Sequence, residues 1–500
     1  MIVQIAPLIA LPTRVSIFDY AWELDVAPHI GMVVEFPFRS SKKYGIVTGI
    51  SDTSSFKVRS IKNDTTPYQL LTETEVAWLK VASNQLNSGI GILAQHTLPP
   101  LSTRTTKLLT QRAVVTHEPI QKGKLQYMWY SAHSTLFNVI FGLVEKKFPI
   151  IIITANHGEA AQLKEFLSQH ITRTIHHITA THAPHRRIVW NDWLTVNEDA
   201  PIIIGTHLAA WLPRRAHTTV IVVEPTNAQH EQWNGAAHNN RRIAELRRIF
   251  LGDDIVLLSH TPATLDLDRV MSIPTLHTWP TIVDRTIEEP QHRQHTLSPF
   301  FEDALTSRKK ILIFVTHLRE ATHYICKDCG TLYTADDIRE SSQCKKCNGM
   351  RFSKIGCGAQ SIIDELFSVH IISNKEVVAL LDAQTYDAQK NEARPVGITI
   401  ATAPLYDRLP LADFDLIVDV SIDFEFLHPE FSSEEHLLQR LRAISVRLPA
   451  QWKGLWYVQT RKPNLLAWRA KDFSGFSSWW SAEKPLRMRF KQPPFDTIDS

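Results

Sequence analysis

Residues 1 to about 60 alternate apolar and polar positions, with turn-forming residues between the apolar runs. A period of two is typical of strands that bury one face. The stretch MVVEFPFRSSKKYGIVTGI, at 32–50, predicts a hairpin with its polar turn at residues 39–43. The pattern therefore predicts a small β-rich domain at 1–65.

A helical period follows over residues 72–98, TETEVAWLKVASNQLNSGIGILAQHTL. The pattern opens on Thr72 and Glu75, which have the spacing of a capping box, and Pro99 and Pro100 close it. Residues 102–123 are polar and basic, which is typical of a linker. We expect a helical segment and linker at 66–124.

From about residue 125, short β-branched runs alternate with helical stretches. Each run is nearly continuous in apolar residues, which is typical of parallel strands buried on both faces. The runs lie at 148–155, 200–206, 218–225, 254–261, 309–316, 396–403, 414–421 and 454–460. They predict an α/β multidomain fold with two parallel α/β domains, at about 125–285 and 295–475, and a short C-terminal tail at 476–500.

Length, composition and charge limit the number of domains, the class of protein and its possible partners. The chain has 500 residues, too many for one ordinary core, and its 44% hydrophobic and 21% charged residues are typical of globular proteins. A net charge of +3 permits nucleic-acid binding but does not argue for it. The first residues predict a strand and not a signal peptide, and no long uncharged apolar window indicates a membrane span. We expect a cytoplasmic protein.

Four of the five cysteines form one cluster, Cys326, Cys329, Cys344 and Cys347, with the spacing C-x2-C-x14-C-x2-C. Two such pairs suit one tetrahedral structural Zn²⁺, and four thiolates leave no open position for catalysis. A redox pair or two disulfides is the alternative, which a reducing cytoplasm disfavours. Gly330 and Asn348-Gly349 follow the pairs, where tight turns need permissive backbones. Cys357 lies outside the spacing and is expected to be a small buried residue.

Several segments occur in the order found in a known family. These are IFDYAWELDVAPHIGMVVEFPF, LNSGIGILAQHTLPP, HHITATHAPHRRIVWNDW, IIIGTHLAAW, LLSHTPATL, YICKDCG, FLHPEFSSEEHLLQRL, WYVQT and MRFKQPPF. Each segment is weak evidence, but the collinear series over nearly the whole chain is specific. The sequence resembles the primosomal protein N′ family, the PriA-type replication-restart DNA helicases.

This resemblance implies an N-terminal 3′-DNA-binding domain and two RecA-like helicase-type domains, with a zinc-knuckle insertion at 324–358 in the second. The family usually carries eight cysteines and two zinc ions. The four cysteines of this cluster match the outer pairs, which share one metal in that family, so the resemblance implies one complete site in a shortened module. The family's final C-terminal domain is expected to be essentially absent.

The resemblance also implies an ATP site, and here the sequence departs from the family. The phosphate loop should be rich in glycine and end in Gly-Lys-Thr, but Met128 to Gly142 reads MWYSAHSTLFNVIFG, without lysine and without an earlier glycine. Ser134 or Thr135 could supply a hydroxyl, and Glu224 could hold a metal as the first Walker B acid does. No second acid follows Glu224. In the arginine-finger segment, RLRAISVR, Arg447 is a possible survivor. We therefore expect no ATP hydrolysis, and the resemblance gives little support for binding of ATP and Mg²⁺.

Phe18, Asp19 and Tyr20 match the family's Phe-Asp-Tyr, which belongs to a pocket for the 3′ end of a DNA strand. An aromatic ring can stack on a base, and a carboxylate can accept a hydrogen bond from a 3′-hydroxyl. Lys57 stands near a lysine of that pocket. Arg39 replaces a family glycine and could contact phosphate or fill the pocket. The alternative for Phe18 and Tyr20 is ordinary strand packing.

Taken together, the sequence predicts a PriA-like DNA-binding protein of replication restart or repair that recognises branched DNA or 3′ ends without ATP hydrolysis. Its expected partners are DNA forks, and replication-restart or single-strand-binding proteins, with no membrane. The alternatives are an active ATP-dependent 3′-to-5′ helicase with unusual motifs and a scaffold that binds no DNA. DNA-stimulated ATP hydrolysis would favour the first alternative, and DNA binding would exclude the second.

Overall fold

The computed structural model describes most of the chain. The described residues are 1–62, 65–113, 120–145, 148–179, 183–195, 200–232, 238–270, 272–289, 295–316, 318, 323–334, 337–338, 342–355, 358–372, 378–382, 385–386, 397–426 and 432–492. Cys357 and the end of the predicted C-terminal tail lie outside them. The chain divides into two compact units, one of residues 1–129 and 136–259 and one of residues 130–135 and 260–500.

The N-terminal residues form a mixed six-stranded sheet in the order β5-β2-β1-β4-β3-β6. Its strands are β1 (Ile2–Pro7), β2 (Phe18–Glu23), β3 (Met32–Phe38), β4 (Ser41–Ser51), β5 (Arg59–Lys62) and β6 (Tyr68–Gln69). Strands β2 and β5 pair in parallel, and the other neighbours are antiparallel. The inward face of the sheet buries Val3, Ile5, Val34, Phe36 and Val47. The predicted β-rich domain is therefore present.

The hairpin of β3 and β4 is tighter than the sequence pattern predicts. Phe38 pairs with Ser41, so only Arg39 and Ser40 form the turn. Lys42 and Lys43 belong to β4 and pair with Pro37 and Phe36. The backbone of Arg39 has φ 54°, in the left-handed region. A two-residue turn needs such a conformation, and it matches the twist of the flanking strands.

The helical pattern at 72–98 contains two helices and not one. Helix α1 (Glu73–Gln85) begins with the predicted capping box, in which Thr72 and Glu75 exchange hydrogen bonds. Helix α2 (Ile90–Thr97) starts after a break at residues 86–89. A Cβ added to Gly91 would lie 1.8 Å from the carbonyl oxygen of Pro7, so only glycine fits where α2 crosses the end of β1.

The predicted linker at 102–123 is partly ordered by the rest of the unit. Helix α3 (Thr103–Thr106) is a single turn capped by Ser102. Buried Glu75 then accepts hydrogen bonds from the Arg112 guanidinium at 3.1 Å and from the Arg214 backbone at 2.6 Å. A buried carboxylate needs such partners. These bonds fix the connection between the helical segment and the α/β domain that follows.

The first unit continues as an α/β domain with a six-stranded parallel sheet in the order β7-β14-β11-β8-β10-β9. The sheet strands are β7 (Leu125–Trp129), β8 (Ile150–Ile153), β9 (Ile175–Ile178), β10 (Ile202–Gly205), β11 (Thr219–Val223) and β14 (Asp254–Ser259). The short pair β12 (Glu231–Gln232) and β13 (His238–Asn239) forms a separate ribbon. The helices are α4 (His133–Val144), α5 (His157–His170), α6 (Ala183–Leu194), α7 (His207–Ala210) and α8 (Asn240–Phe250).

The second unit contains another six-stranded parallel sheet, in the order β15-β23-β22-β16-β21-β20. Its strands are β15 (Thr281–Asp284), β16 (Ile311–Val315), β20 (Val378–Leu381), β21 (Ile398–Thr402), β22 (Leu416–Asp419) and β23 (Leu455–Thr460). The helices are α9 (Glu302–Ser307), α10 (Ala359–Ser368), α11 (Ser433–Arg447) and α12 (Phe473–Arg489). Helix α12 begins just before the predicted tail and buries Trp479, so most of that tail is a packed helix.

Inserted between β16 and α10 is a three-stranded antiparallel sheet of β17 (His323–Cys326), β18 (Leu332–Thr334) and β19 (Phe352–Ile355). The predicted architecture is confirmed: a β-rich N-terminal domain, two parallel α/β domains and a cysteine-bearing insertion. The predicted domain boundaries stay a prediction. Among the described residues, no helix has both the length and the apolar character needed to cross a bilayer.

Candidate functional site

The predicted DNA-end residues lie at the start of β2. The Phe18 ring packs edge-on against Phe38, with ring centroids 5.3 Å apart, and stays half-buried. The ring of Tyr20 is buried against Phe36, and its hydroxyl donates to the Pro37 carbonyl at 2.9 Å. Burial raises the pKa of Tyr20, and the charge of Arg59 partly offsets this effect. Phe18 therefore lies at the surface of the site, whereas Tyr20 supports it from the core.

The carboxylate of Asp19 is engaged by the loop that precedes β5. Ser54 donates its hydroxyl to Asp19 Oδ2 at 2.6 Å, and the backbone N–H of Phe56 donates to the same hydroxyl at 3.1 Å. The loop reaches Asp19 because β2 and β5 pair in parallel, with Tyr20 opposite Arg59. Parallel pairing places the loop before β5 beside the first residues of β2. Ser54 was not predicted from the sequence.

Three of the exposed cationic side chains of this domain, Arg39, Lys57 and Arg59, belong to the β3–β4 turn and to the segment around the start of β5. Arg39 sits in the hairpin turn, and its guanidinium carbon lies 5.6 Å from the centre of the Phe38 ring. Arg59 donates to the Arg39 carbonyl oxygen at 2.9 Å, which links the two edges of the site. Lys57 is exposed in the loop before β5. Exposed cations beside a carboxylate can bind phosphate groups that flank a terminal hydroxyl. Arg59 was not predicted as a site residue, although it lies only two residues after Lys57 in the sequence.

The four predicted cysteine ligands converge in the insertion. Their sulfur atoms all lie within 4.8 Å of one another. Gly330 and Asn348 have φ of 73° and 58°, so the left-handed turns expected after each Cys-x-x-Cys pair are present. In these turns the N–H of Gly330 donates to the Cys326 carbonyl and that of Asn348 donates to the Cys344 carbonyl. The residues fit a tetrahedral metal ion, because four convergent sulfurs on such turns form a closed ligand set.

Neighbouring side chains hold the sulfurs in place. The Tyr333 hydroxyl lies 3.0 Å from the Cys344 sulfur, and the Thr331 hydroxyl lies 3.1 Å from the Cys329 sulfur. The Tyr333 ring also packs edge-on against Phe352. Such partners orient metal ligands and stabilise thiolate charge. Neither hydroxyl was predicted: Thr331 makes a local contact two residues after Cys329, whereas Tyr333 reaches Cys344 from eleven residues away.

The residues predicted for a degenerate phosphate loop start α4. Ser134 and Thr135 are exposed, and the Thr135 hydroxyl donates to the Ala132 carbonyl at 2.7 Å. Tyr130 is buried, with its hydroxyl 3.4 Å from the ring of His260. The aromatic side chain of Tyr130 therefore occupies a segment in which phosphate binding requires backbone N–H groups without obstructing side chains. Thr135 uses its hydroxyl within the first turn.

Glu224 follows β11 directly and is buried, with φ 52°. Its carboxylate accepts a hydrogen bond from Ser259 at 3.2 Å, and its backbone N–H donates to the Leu258 carbonyl at 2.8 Å. Pro225 comes next in the chain. The position at the carboxyl end of a parallel strand is the one expected for a metal-binding acid. The buried carboxylate of Glu224 nevertheless already has a hydrogen-bond donor within the same domain, the hydroxyl of Ser259.

The arginines of the predicted finger segment all bind protein oxygens. Arg440 forms an ion pair with buried Asp419 at 2.5 Å and donates to the Ser421 hydroxyl. Arg447 donates to the carbonyls of Ala443 and Asp407. Fully buried Arg442 donates to four carbonyl oxygens at 3.0–3.2 Å, those of His260, Pro274, Ala470 and Lys471. These contacts stabilise the second unit.

A histidine cluster in the first unit has no counterpart in the sequence prediction. His96 and His238 lie against Trp211, with ring centroids 6.0 and 5.3 Å from that of the tryptophan, and His207 lies 6.1 Å from His96. Burial, together with the positive charges of neighbouring histidines and Arg186, lowers the pKa of His96 and that of His207 to about 4. The two rings are therefore neutral near pH 7.

Comparison with known proteins agrees with the sequence resemblance. A family model described as the 3′DNA-binding domain (3′BD) of PriA matches residues 8–99, which include every predicted DNA-end residue. The chain is 21% identical to the replication restart protein PriA of Rickettsia typhi, over 99% of its own length and 86% of that protein's. The Rickettsia felis PriA protein gives the same 21% identity and the same coverages. The predicted resemblance is confirmed over nearly the whole chain.

Solved structures with a similar arrangement include helicases at low identity. Saccharomyces cerevisiae Dbp5 bound to RNA and ADP BeF3 is 13% identical, with a TM-score of 0.39 and coverages of 83% of this chain and 91% of that one. The NS3-like helicase from Alongshan virus is 10% identical, with a TM-score of 0.37 and coverages of 68% and 73%.

Proposed function

Because the chain is similar over nearly its full length to PriA-type replication restart proteins, we propose that it is a DNA-binding protein of replication restart or repair. It recognises branched DNA or 3′ strand ends and does not hydrolyse ATP. The observation that carries the proposal is the arrangement at the start of β2. There an acceptor carboxylate, Asp19, lies on the same small domain as exposed Arg39, Lys57 and Arg59.

The chemistry of a 3′ end fits this arrangement. Asp19 accepts a hydrogen bond from the terminal 3′-hydroxyl, whereas a terminal phosphate would meet the carboxylate as a like charge. Arg39, Lys57 and Arg59 neutralise the phosphates of the last nucleotides, so binding weakens as salt rises. Phe18 presents an aromatic edge beside them. Recognition is therefore expected to combine a hydroxyl-specific contact with sequence-independent charge contacts.

The absence of ATP hydrolysis is supported by three separate regions. The phosphate-loop segment lacks the lysine and the glycines, and Thr135 uses its hydroxyl within its helix. Glu224 has no acidic residue after it and is bound by Ser259. The finger-segment arginines are engaged by protein oxygens, as Arg442 is with four carbonyls. Loss of each group slows phosphoryl transfer by orders of magnitude.

The metal held by the four cysteines is proposed to be one structural Zn²⁺. Zinc prefers four sulfur ligands in tetrahedral geometry, and the closed ligand set leaves no position for a substrate. The ion would hold β17, β18 and β19 together, because so small a sheet buries little apolar surface of its own. Its role is therefore in folding and not in catalysis.

The first test is fluorescence anisotropy with synthetic forks that end in a 3′-hydroxyl or a 3′-phosphate, at two salt concentrations. The wild-type chain is expected to prefer the hydroxyl roughly tenfold, which corresponds to about 1.4 kcal/mol for one charge-assisted hydrogen bond. Asp19→Asn should remove most of the preference. Glu165→Gln, an exposed carboxylate on α5, is the matched control and should retain it. Equal binding of both forks by the wild type would refute end recognition.

A second measurement separates the proposal from an active helicase. Phosphate release is followed with and without single-stranded DNA, beside Glu224→Gln. We expect no DNA-stimulated release above the level of this variant. Stimulated hydrolysis that Glu224→Gln abolishes would establish the helicase alternative. No binding to any fork would leave the scaffold alternative.

A further inference from the structure

We propose that Phe56 stacks on the terminal base of the bound DNA strand and that Ser54 positions it; this inference rests on the proposed recognition of 3′ ends. Phe56 exposes 76% of its surface, and no other described phenylalanine, tyrosine or tryptophan is as exposed. A phenyl ring in water contributes nothing to the core. The same ring placed over a base removes two apolar faces from water.

The position of Phe56 is tied to the hydroxyl-binding carboxylate by two consecutive hydrogen bonds. Ser54 donates to Asp19 at 2.6 Å, and the Phe56 backbone donates to Ser54 at 3.1 Å. The start of the same loop is fixed where the Ser51 hydroxyl donates to the Thr53 carbonyl at 2.8 Å. The backbone of Phe56 is therefore linked to Asp19 through the hydroxyl of Ser54.

The charges beside Phe56 favour a nucleotide over an apolar partner. Lys57 is its chain neighbour, and Arg59 begins β5 two residues later and contacts the turn at Arg39. A terminal nucleotide has a phosphate for the cations, a hydroxyl for Asp19 and a flat base for Phe56. An apolar peptide would cover the ring but leave the carboxylate and the cations unmatched. Phe56, Asp19 on β2 and the cations Lys57 and Arg59 therefore supply the three kinds of contact that one nucleotide requires.

The test uses forks with 2-aminopurine at the 3′-terminal position or five nucleotides inward. Binding is measured by anisotropy, and stacking by the change in 2-aminopurine fluorescence. Phe56→Ala should weaken binding to the 3′-hydroxyl fork at least about fivefold, since stacking on an aromatic ring contributes about 1–3 kcal/mol per base. The terminal signal should be lost and the internal signal kept. Phe56→Trp should restore both affinity and signal.

Two further variants complete the design. Phe148→Ala removes another exposed phenylalanine, which precedes β8, and should change neither readout. Ser54→Ala should lower the terminal signal by less than Phe56→Ala, because it loosens the ring without removing it. The salt dependence should be the same for Phe56→Ala and wild type, since no charge is lost.

The outcomes distinguish the inference from the proposed function. If the wild type prefers the 3′-hydroxyl and Phe56→Ala binds equally well, stacking is refuted and end recognition stands. If Phe56→Ala binds weakly but keeps the terminal signal, the ring has only a structural role and the inference is overturned. If the wild type does not discriminate between the two ends, end recognition itself fails and the inference fails with it.

Discussion

Arginines of the N-terminal domain and arginines of the second α/β domain have opposite environments. Arg39 and Arg59 are exposed on the same small domain as Asp19, whereas Arg440 and Arg442 are buried against protein oxygens. An exposed arginine can exchange water for a ligand phosphate at little cost. A buried arginine would have to abandon its partners and leave unsatisfied carbonyls behind. The difference teaches that a basic residue of this chain is a candidate for ligand binding only where solvent can reach its side chain.

The two regions also differ in what the fold requires of them. The strands of the second domain keep their apolar residues, and Ile313, Ile417 and Val418 are fully buried. Apolar strand packing fixes a fold but does not by itself establish an activity. At the N-terminal site, by contrast, the polar groups lie at or near the surface, where Asp19 accepts a hydrogen bond from Ser54 and Arg59 donates to the Arg39 carbonyl.

The largest effect is expected at the cysteine cluster, which tests whether the second unit depends on a metal. Cys344→Ser should abolish the bound metal, measured as moles per mole of protein by elemental analysis, and should unfold the insertion. Cys357→Ser, outside the predicted ligand set, should keep full metal content. Full metal content in Cys344→Ser would contradict the four-sulfur site. Preference for a 3′-hydroxyl should survive chelation, because the N-terminal domain is held by its own core.

The next effect tests whether Arg442, in the predicted finger segment, is structural. Arg442→Ala leaves four carbonyls without their buried donor and should destabilise the protein by about 3–5 kcal/mol. The midpoint of urea unfolding should fall accordingly. Arg447→Ala, in which a half-buried arginine on the same helix is removed, should have a smaller effect. An unchanged urea midpoint in Arg442→Ala would show that this buried arginine does not stabilise the protein, contrary to the contrast with the exposed arginines of the N-terminal domain.

Acid pH should act on the first unit through His96 and His207. The folded-state pKa values of about 4 lie below the unfolded value near 6.5, so the unfolded chain binds more protons. Stability is therefore full above pH 6.5 and falls as the pH drops towards 4. The loss is at most about 3 kcal/mol for each histidine, and less after solvent screening.

This pH dependence can be measured as the unfolding midpoint between pH 7 and pH 4. His96→Gln should flatten the curve by removing one titrating ring. His217, which lies outside the cluster, provides the control His217→Gln, and this variant should titrate like the wild type. A wild-type midpoint that does not change over this range would show that the cluster does not resist protonation.

The smallest effect concerns a single cation of the end-binding site. Arg59→Ala should weaken fork binding by up to about 1 kcal/mol and lower the slope of log affinity against log salt by roughly one. The preference for a 3′-hydroxyl should remain, because Asp19 is intact. Lys80→Ala, an exposed cation at the middle of α1, is the control. An unchanged salt slope in Arg59→Ala would mean that Arg59 contacts no phosphate and only donates its hydrogen bond to the Arg39 carbonyl in the turn.

The strands at the centre of both parallel sheets were predictable from sequence, and those at the edges were not. All eight predicted runs contain strands, including β8, β11, β16 and β22. The four missed strands, β7, β9, β15 and β20, are the edges of the two sheets. A central strand is buried on both faces and must be continuously apolar, whereas an edge strand can carry polar residues such as those of Ile175–Ile178, IHHI. A strand can therefore be recognised from its apolar run when both of its faces are buried.

The sequence by itself determined the local features: the apolar strands, the capping box of Thr72 and Glu75, and the spacing of the four cysteines. Each depends on residues near one another in the chain. Only the tertiary structure decided that Ser54 binds Asp19, that Arg59 reaches Arg39 and that Arg442 is enclosed. These contacts join residues 20 to 182 positions apart. Strand pairing and helix packing create them, so no local pattern can encode them.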